Sequence, residues 1–172
     1  LGLQKWWEDF NSFDISGNQF DGEIYPVIKK YDDDGKLFLE KYRTGSNQQK
    51  WIKYHKNGQK WYEGEYEKYS FYKGKEKTGV FTEWYESGKI KQIETYTGCT
   101  YISICYYLKQ FSYYGNGQMK IEKNYIVKEG SPSGYGNTGK HKDGKWVYYN
   151  ENGGIIKEEV WVEGKLIETI EY

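Results

Sequence analysis

Alanine is absent from this 172-residue chain, and arginine occurs once, at Arg43. Alanine is the strongest helix former, so its absence beside plentiful Tyr, Ile, Thr and Trp argues against a helical protein. One arginine and a formal net charge of zero withhold the basic footprint on which nucleic-acid binders rely. Zero charge also gives no long-range attraction to an acidic membrane surface. No apolar run approaches the roughly 18 residues that a membrane-spanning helix needs. The two cysteines, Cys99 and Cys105, would sit on one face of a single strand about 20 Å apart, beyond the reach of a disulfide. The chain starts at Leu1 rather than Met and reads as a fragment or a processed form. The sequence does not identify its compartment, which is the cytoplasm or, if an upstream signal was removed, the cell envelope.

Leu, Ile, Val and Phe together make up less than a fifth of the residues, whereas aromatic residues make up 20%. Tyr and Trp supply the apolar area that the aliphatics lack, and each carries a polar atom that tolerates partial wetting. This composition predicts an extended, partly wet β structure.

The aromatics recur in register. Gly35, Gly58, Gly88, Gly117 and Gly153 each stand four residues after an aromatic: Tyr31, Tyr54, Trp84, Tyr113 and Tyr149. Seven residues before the glycines come Ile28, Trp51, Phe81, Gln110 and Trp146; eight after come Arg43, Tyr66, Tyr96, Tyr125 and Trp161. The residue preceding each glycine is Asp34, Asn57, Ser87, Asn116 or Asn152. Asn-Gly and Asp-Gly suit tight hairpin turns in which both central residues take positive φ, and aromatic or β-branched flanks suit half-buried strands. The unit is strand, turn, strand, repeated about five times over 26–172. The repeated aromatics and glycines are read as structural positions that hold neighbouring hairpins together.

The glycine spacings are 23, 30, 29 and 36 residues, so the longer units carry insertions. Residues 128–144, with Gly, Ser, Asn and Pro132, read as an exposed loop, and 70–79 as a smaller one. Residues 98–111 read as a strand pair or one long strand. Residues 1–25 form a separate N-terminal cap: Leu3, Trp6, Trp7 and Phe10 fall at helical spacing and predict a short helix, placed over the first hairpin to cover an open sheet edge. Residues 11–25 read as a degenerate hairpin.

The segments TGVFTEWYESGKIKQIETYTG (78–98) and DGKWVYYNENGGIIKEEVWVEGK (143–165) resemble the MORN repeat variant, whose pattern runs Gly-x-aromatic-x-x-Tyr-x-x-x-Gly into a charged alternating strand. Gly79, Phe81, Trp84 and Gly88 match it, as do Gly144, Trp146, Tyr149 and Gly153. Pro26, Gln49 and Leu108 depart at the first glycine, so the other three units match in part. The resemblance implies an all-β fold, an elongated, curved antiparallel sheet of stacked hairpins with ten to twelve strands spanning about 50 Å. It further implies a protein-interaction module, in some relatives an antitoxin-like or scaffold component and in others one that touches membranes. GKWVYYNENG is also similar to the aromatic repeats of choline- and glycan-binding cell-wall modules, where paired tryptophans cage a cation or stack on a sugar. Those repeats have a near-constant short period, which this chain lacks.

The constellations of enzymatic chemistry are missing. His55 and His141 are the only histidines, and neither has a partner at nucleophile or metal-ligand spacing. Asp32, Asp33 and Asp34 lack the alternating ligand spacing of a calcium loop and fall on a repeat turn. GYGNTG spells a phosphate-loop pattern without the following helix. The sequence therefore predicts a non-enzymatic repeat protein that binds another protein, with no cofactor, metal or nucleic acid. A glycan or choline-type ligand is the alternative, membrane-surface contact stays open, and so does edge-to-edge self-association. The candidate partner-binding residues are the aromatics outside the repeat register: Trp6, Trp7, Trp61, Tyr69, Tyr72, Tyr106, Tyr107 and Tyr135.

Overall fold

Alternating polar and apolar residues broken by Asx-Gly pairs can pair only with neighbours in sequence, and the structure is built that way. The computed structural model describes residues 26–45, 48–68, 75–97, 107–128 and 139–172. The expected N-terminal helix and cap, the hairpin over 11–25 and both cysteines lie outside them. The described strands are β1 (Pro26–Tyr31), β2 (Leu37–Arg43), β3 (Gln48–Tyr54), β4 (Lys60–Lys68), β5 (Lys75–Trp84), β6 (Ile90–Thr97), β7 (Tyr107–Tyr113), β8 (Met119–Lys128), β9 (Gly139–Lys142), β10 (Gly144–Tyr149), β11 (Ile155–Val162) and β12 (Lys165–Glu171). They form one open antiparallel sheet of 12 strands, in sequence order except that β8 pairs with both β9 and β10.

Each of the five expected glycines closes a hairpin: β1–β2, β3–β4, β5–β6, β7–β8 and β10–β11. The turn chemistry differs from the expectation. In each, only the glycine is left-handed, with φ between 75° at Gly35 and 97° at Gly117, and the Asp, Asn or Ser before it is not. The glycine N–H donates to the carbonyl three residues back, as from Gly58 to His55 at 2.9 Å, and the His55 N–H donates forward to Gln59 at 2.8 Å. This is a type I turn closed by a left-handed glycine, which tolerates any residue in the first two loop places. The two-residue turn with both residues at positive φ occurs instead at Glu163 (φ 50°) and Gly164 (φ 85°), between β11 and β12.

The turns are stitched into a row. Three residues before the glycine, His55 Nε2 bonds the Trp84 carbonyl (3.0 Å), Tyr85 Oη donates to the Tyr113 carbonyl (2.8 Å) and Tyr114 Oη to the Tyr149 carbonyl (2.8 Å). One residue before it, Asn57 and Asn116 donate to the carbonyls of Glu86 and Glu151. His55 is thus one of a series of turn-to-turn donors. In the first turn Asp32 Oδ1 accepts the N–H groups of Asp34 (3.0 Å) and Lys36 (2.8 Å), which is local turn bonding by the acidic run.

The first glycine of the repeat pattern has a separate role. Gly79 (φ 67°) and Gly144 (φ 68°) are left-handed. Around Gly79 the β4–β5 register shifts, and next to Gly144 the strand is broken into β9 and β10 at Asp143. Where Gln49 or Leu108 stands instead, the β2–β3 and β6–β7 registers run without a shift. The glycine therefore specifies a bulge between hairpins, which units without it do not make. Two loop expectations are corrected accordingly: 75–79 belongs to β5 and 139–142 is β9, both recruited by pairing with the preceding hairpin. Of residues 98–111, the described part, from Tyr107, begins β7.

A sheet of one layer has to bury its rings against each other. Phe81 and Leu108 are each 2% exposed, Trp146 3% and Trp51 5%. Phe81 reaches this by lying over Gly64, where an added Cβ would overlap its ring carbons. We therefore expect Gly64→Ala to cost about 1–3 kcal/mol by overpacking, measured as a lower denaturation midpoint. Adding Phe81→Leu should recover part of the loss, because the clash is with the ring.

Candidate interaction surface

Paired residues share a face, so the register divides the side chains cleanly. One face carries the residues seven before and eight after each turn glycine, and their rings form a row across the hairpins. Ring centroids are 4.8 Å apart for Trp51 and Tyr66, 5.3 Å for Tyr66 and Phe81, and 5.5 Å for Phe81 and Tyr96. The fourth unit has Gln110 where the others have a ring. Leu108 fills the place instead, paired with Tyr96 on one side and Tyr125 on the other. The row resumes with Tyr125 and Trp146 at 5.1 Å and Trp146 and Trp161 at 5.9 Å.

Buried carboxylates punctuate this row. Glu94, 8% exposed, accepts from Lys77 Nζ (2.9 Å), Tyr96 Oη (2.8 Å), Gln92 Nε2 (3.2 Å) and Gln110 Nε2 (3.0 Å). Glu159 accepts from Lys157 Nζ (2.7 Å), Tyr148 Oη (2.8 Å) and Trp161 Nε1 (3.0 Å). Burial by itself would raise both carboxyls, but their lysine and hydroxyl donors outweigh it and hold them below the ordinary range. Burial and the adjacent carboxylates push the hydroxyls of Tyr96 and Tyr148 up in turn.

Lysines lie over the rings as well. Lys142 Nζ is 3.8 Å from the Trp161 centroid and 4.4 Å from that of Trp146; Lys123 is 4.9 Å from Trp146, Lys140 4.3 Å from Tyr125 and Lys41 4.2 Å from Trp51.

The opposite face carries a ladder of ion pairs: Lys50 with Glu63, Lys109 with Glu122 at 2.7 Å and Lys145 with Glu158 at 2.6 Å. In the third hairpin both partners of this pair are apolar, Val80 and Ile93. Val80 is 54% exposed, so the ladder is interrupted at the middle of the sheet. Glu40 stands on this face too, accepting from Tyr42 (2.8 Å), Tyr54 (2.5 Å) and Lys29 (3.2 Å). Burial first, and then the Glu40 carboxylate, push the Tyr42 hydroxyl up to about 12.

Of the eight candidate binding aromatics, the described residues include Trp61 and Tyr107. Trp61 is 41% exposed, with Nε1 donating to Glu83 Oε1 at 3.3 Å, and Tyr107 is 56% exposed. Trp6, Trp7, Tyr69, Tyr72, Tyr106 and Tyr135 fall outside the described residues. Among the residues four before the glycines, Tyr31 is 56% exposed while Tyr54, Trp84, Tyr113 and Tyr149 are half-buried. Among the described residues no three acidic, histidine or cysteine side chains gather as a metal site, and no helix is long and apolar enough to cross a membrane.

The profile of the MORN repeat variant family matches this chain at residues 77–97, 106–126 and 142–162. Gly88, Gly117 and Gly153 fall at the same place in the three matches, and the middle one includes the unit with Leu108. The hairpins closed by Gly35 and Gly58 lie outside the matches but have the same turn geometry. No curated protein matches the chain.

The carboxylate nodes make acid the weak condition for this surface. A carboxyl with a lowered folded pKa stabilises the fold above the unfolded value, about 4.3, and that contribution is lost as pH falls through the folded pKa. Unfolding midpoints should therefore drop below about pH 4.3. In Glu94→Gln the pH dependence over that window should be shallower than in the wild type, as followed by denaturant titration at several pH values.

Proposed function

Because this chain carries repeats of the MORN variant family, we propose that it is a non-enzymatic module that binds another protein, as an antitoxin, immunity or scaffold component. One observation carries the reading: a single-layer sheet whose two faces bear different side chains, packed rings on one and lysine–glutamate pairs on the other. Such a sheet offers broad, pre-ordered surfaces in which Tyr and Trp supply the anchors that interfaces favour. Trp61 and Tyr107, exposed and outside the repeat register, belong to the partner surface in this reading. The open edge at β12, exposed along its whole length, adds a place for strand pairing with a second copy.

The competing reading, a choline-type or glycan ligand held between aromatics, receives less support from the site. A cation cage needs free ring faces, and Trp51, Tyr125, Trp146 and Trp161 already have lysine ammonium groups over them. Affinity capture from the native source should recover one protein at stoichiometric yield. Repeated capture of none, together with a saturable tryptophan fluorescence change on titration with cell-envelope fragments, would favour the ligand-binding reading.

A further inference from the structure

Four lysines break the balance of charges on the ring face. Lys120 and Lys123 line a cleft of about 330 Å³ between the fourth and fifth hairpins, together with Ser112 and Tyr148. Two residues beyond Lys123 along β8 is Tyr125, which pairs with Lys142; two further is Val127, which pairs with Lys140. Lys123, Lys142 and Lys140 thus follow at two-residue steps of about 7 Å, with Lys120 at the head of the series beside the cleft. Three of them stand over rings that touch one another, Tyr125, Trp146 and Trp161.

None of the four forms an ion pair among the described residues. The two carboxylates nearest the stripe are already engaged. Glu159 is taken by Lys157, Tyr148 and Trp161, and Glu94 by Lys77, Tyr96 and two glutamines. Burial first, then Lys142 and Lys120, lower Lys123 against the pull of Glu159; burial first lowers Lys140, with Lys77 and Lys123 adding to it against the stronger pull of Glu94. On the opposite face the lysines at repeat positions are paired with glutamates. The stripe is therefore a local excess of positive charge in a chain whose net charge is zero.

We infer that this stripe is a binding site for an extended acidic segment of a partner protein, with one carboxylate entering the cleft between Lys120 and Lys123 and others lying over Lys142 and Lys140. Alternate side chains on one face of an extended strand are about 7 Å apart, the step of the lysines, so a segment with acids at every second residue matches the row. The rings beneath hold the ammonium groups in place, which lowers the ordering cost on binding. The inference rests on the protein-binding reading and specifies the chemistry of the partner.

The test uses the whole chain and a ten-residue peptide of alternating Glu and Thr. Its affinity should fall with added salt and weaken by about threefold to tenfold in Lys123→Gln/Lys142→Gln. It should be retained in Lys123→Arg/Lys142→Arg, which keeps both the charge and the contact with the rings. Lys109→Gln/Lys145→Gln removes the same net charge from the opposite face and should leave the affinity unchanged; a melting curve for each variant separates lost binding from lost folding. Absence of peptide binding at millimolar concentration, equal losses from both glutamine pairs, or tighter binding of anionic vesicles or single-stranded DNA than of the peptide would overturn the inference. So would undiminished capture of the native partner by Lys123→Gln/Lys142→Gln, a result that leaves the protein-binding reading intact. Failure of the wild type to capture any protein would count against that reading itself.

Discussion

A sheet one layer thick has no second layer to bury its apolar face, and in this protein the row of rings takes that role. Phe81 and Trp146, seven residues before their turn glycines, each pack between the ring eight residues after their own glycine and the corresponding ring of the hairpin before. Trp51, Tyr66, Phe81 and Tyr96 are linked in this way, and Tyr125, Trp146 and Trp161 after them. Rings suit the task because each covers a large area from a single strand position and leaves an edge or hydroxyl for polar neighbours. Aliphatic side chains would reach less far across the roughly 4.8 Å between strands, in keeping with their scarcity. The same constraint explains Gly64: a ring as buried as Phe81 needs a backbone without a side chain beneath it.

The polar groups follow from the rings. Tyrosine hydroxyls and tryptophan N–H groups drawn into the row need acceptors, since an unsatisfied buried polar atom costs more than a made hydrogen bond returns. Glu94 and Glu159 supply them, and lysines neutralise the glutamates. The turn-to-turn hydrogen bonds and the ring row join neighbouring hairpins, while the ion pairs on the far face tie together the two strands of one hairpin. Stability in such an array is shared between neighbours rather than held in one core, so damage at one ring should propagate to the units beside it.

Much of this was legible in the sequence, and the parts that were not share a cause. Five glycines in register with aromatics were enough to find the hairpins, because turns and strands depend on neighbouring residues. The type of turn was not legible, since Asn-Gly serves two geometries and only the backbone distinguishes them. The bulge glycines Gly79 and Gly144, the cavity-like role of Gly64 and the glutamate nodes depend on which residue lies opposite, one or two strands away. The recruitment of 75–79 and 139–142 into strands has the same origin, since pairing to a finished hairpin overrides Gly-rich local composition. Of the site, Trp61 and Tyr107 are exposed, whereas the lysines of the ring face carried no signal among 25 basic residues.

Two departures from the repeat come as compensating pairs, which indicates what those positions do. Gln110 replaces a ring, and Leu108 replaces the glycine two residues earlier, so the buried volume moves along the strand but is not lost. Val80 and Ile93 replace a lysine and a glutamate together, so neither charge is left alone. Lys123 breaks this rule. It stands where the neighbouring hairpins have Glu94 and Glu159, and it forms no ion pair among the described residues, feeling only the longer-range pull of Glu159. A lysine without an ion pair on an ordered ring surface is the feature that the proposed acidic segment would answer. The regular positions of the array build the sheet, and in the proposed reading a partner is recognised through the exceptions.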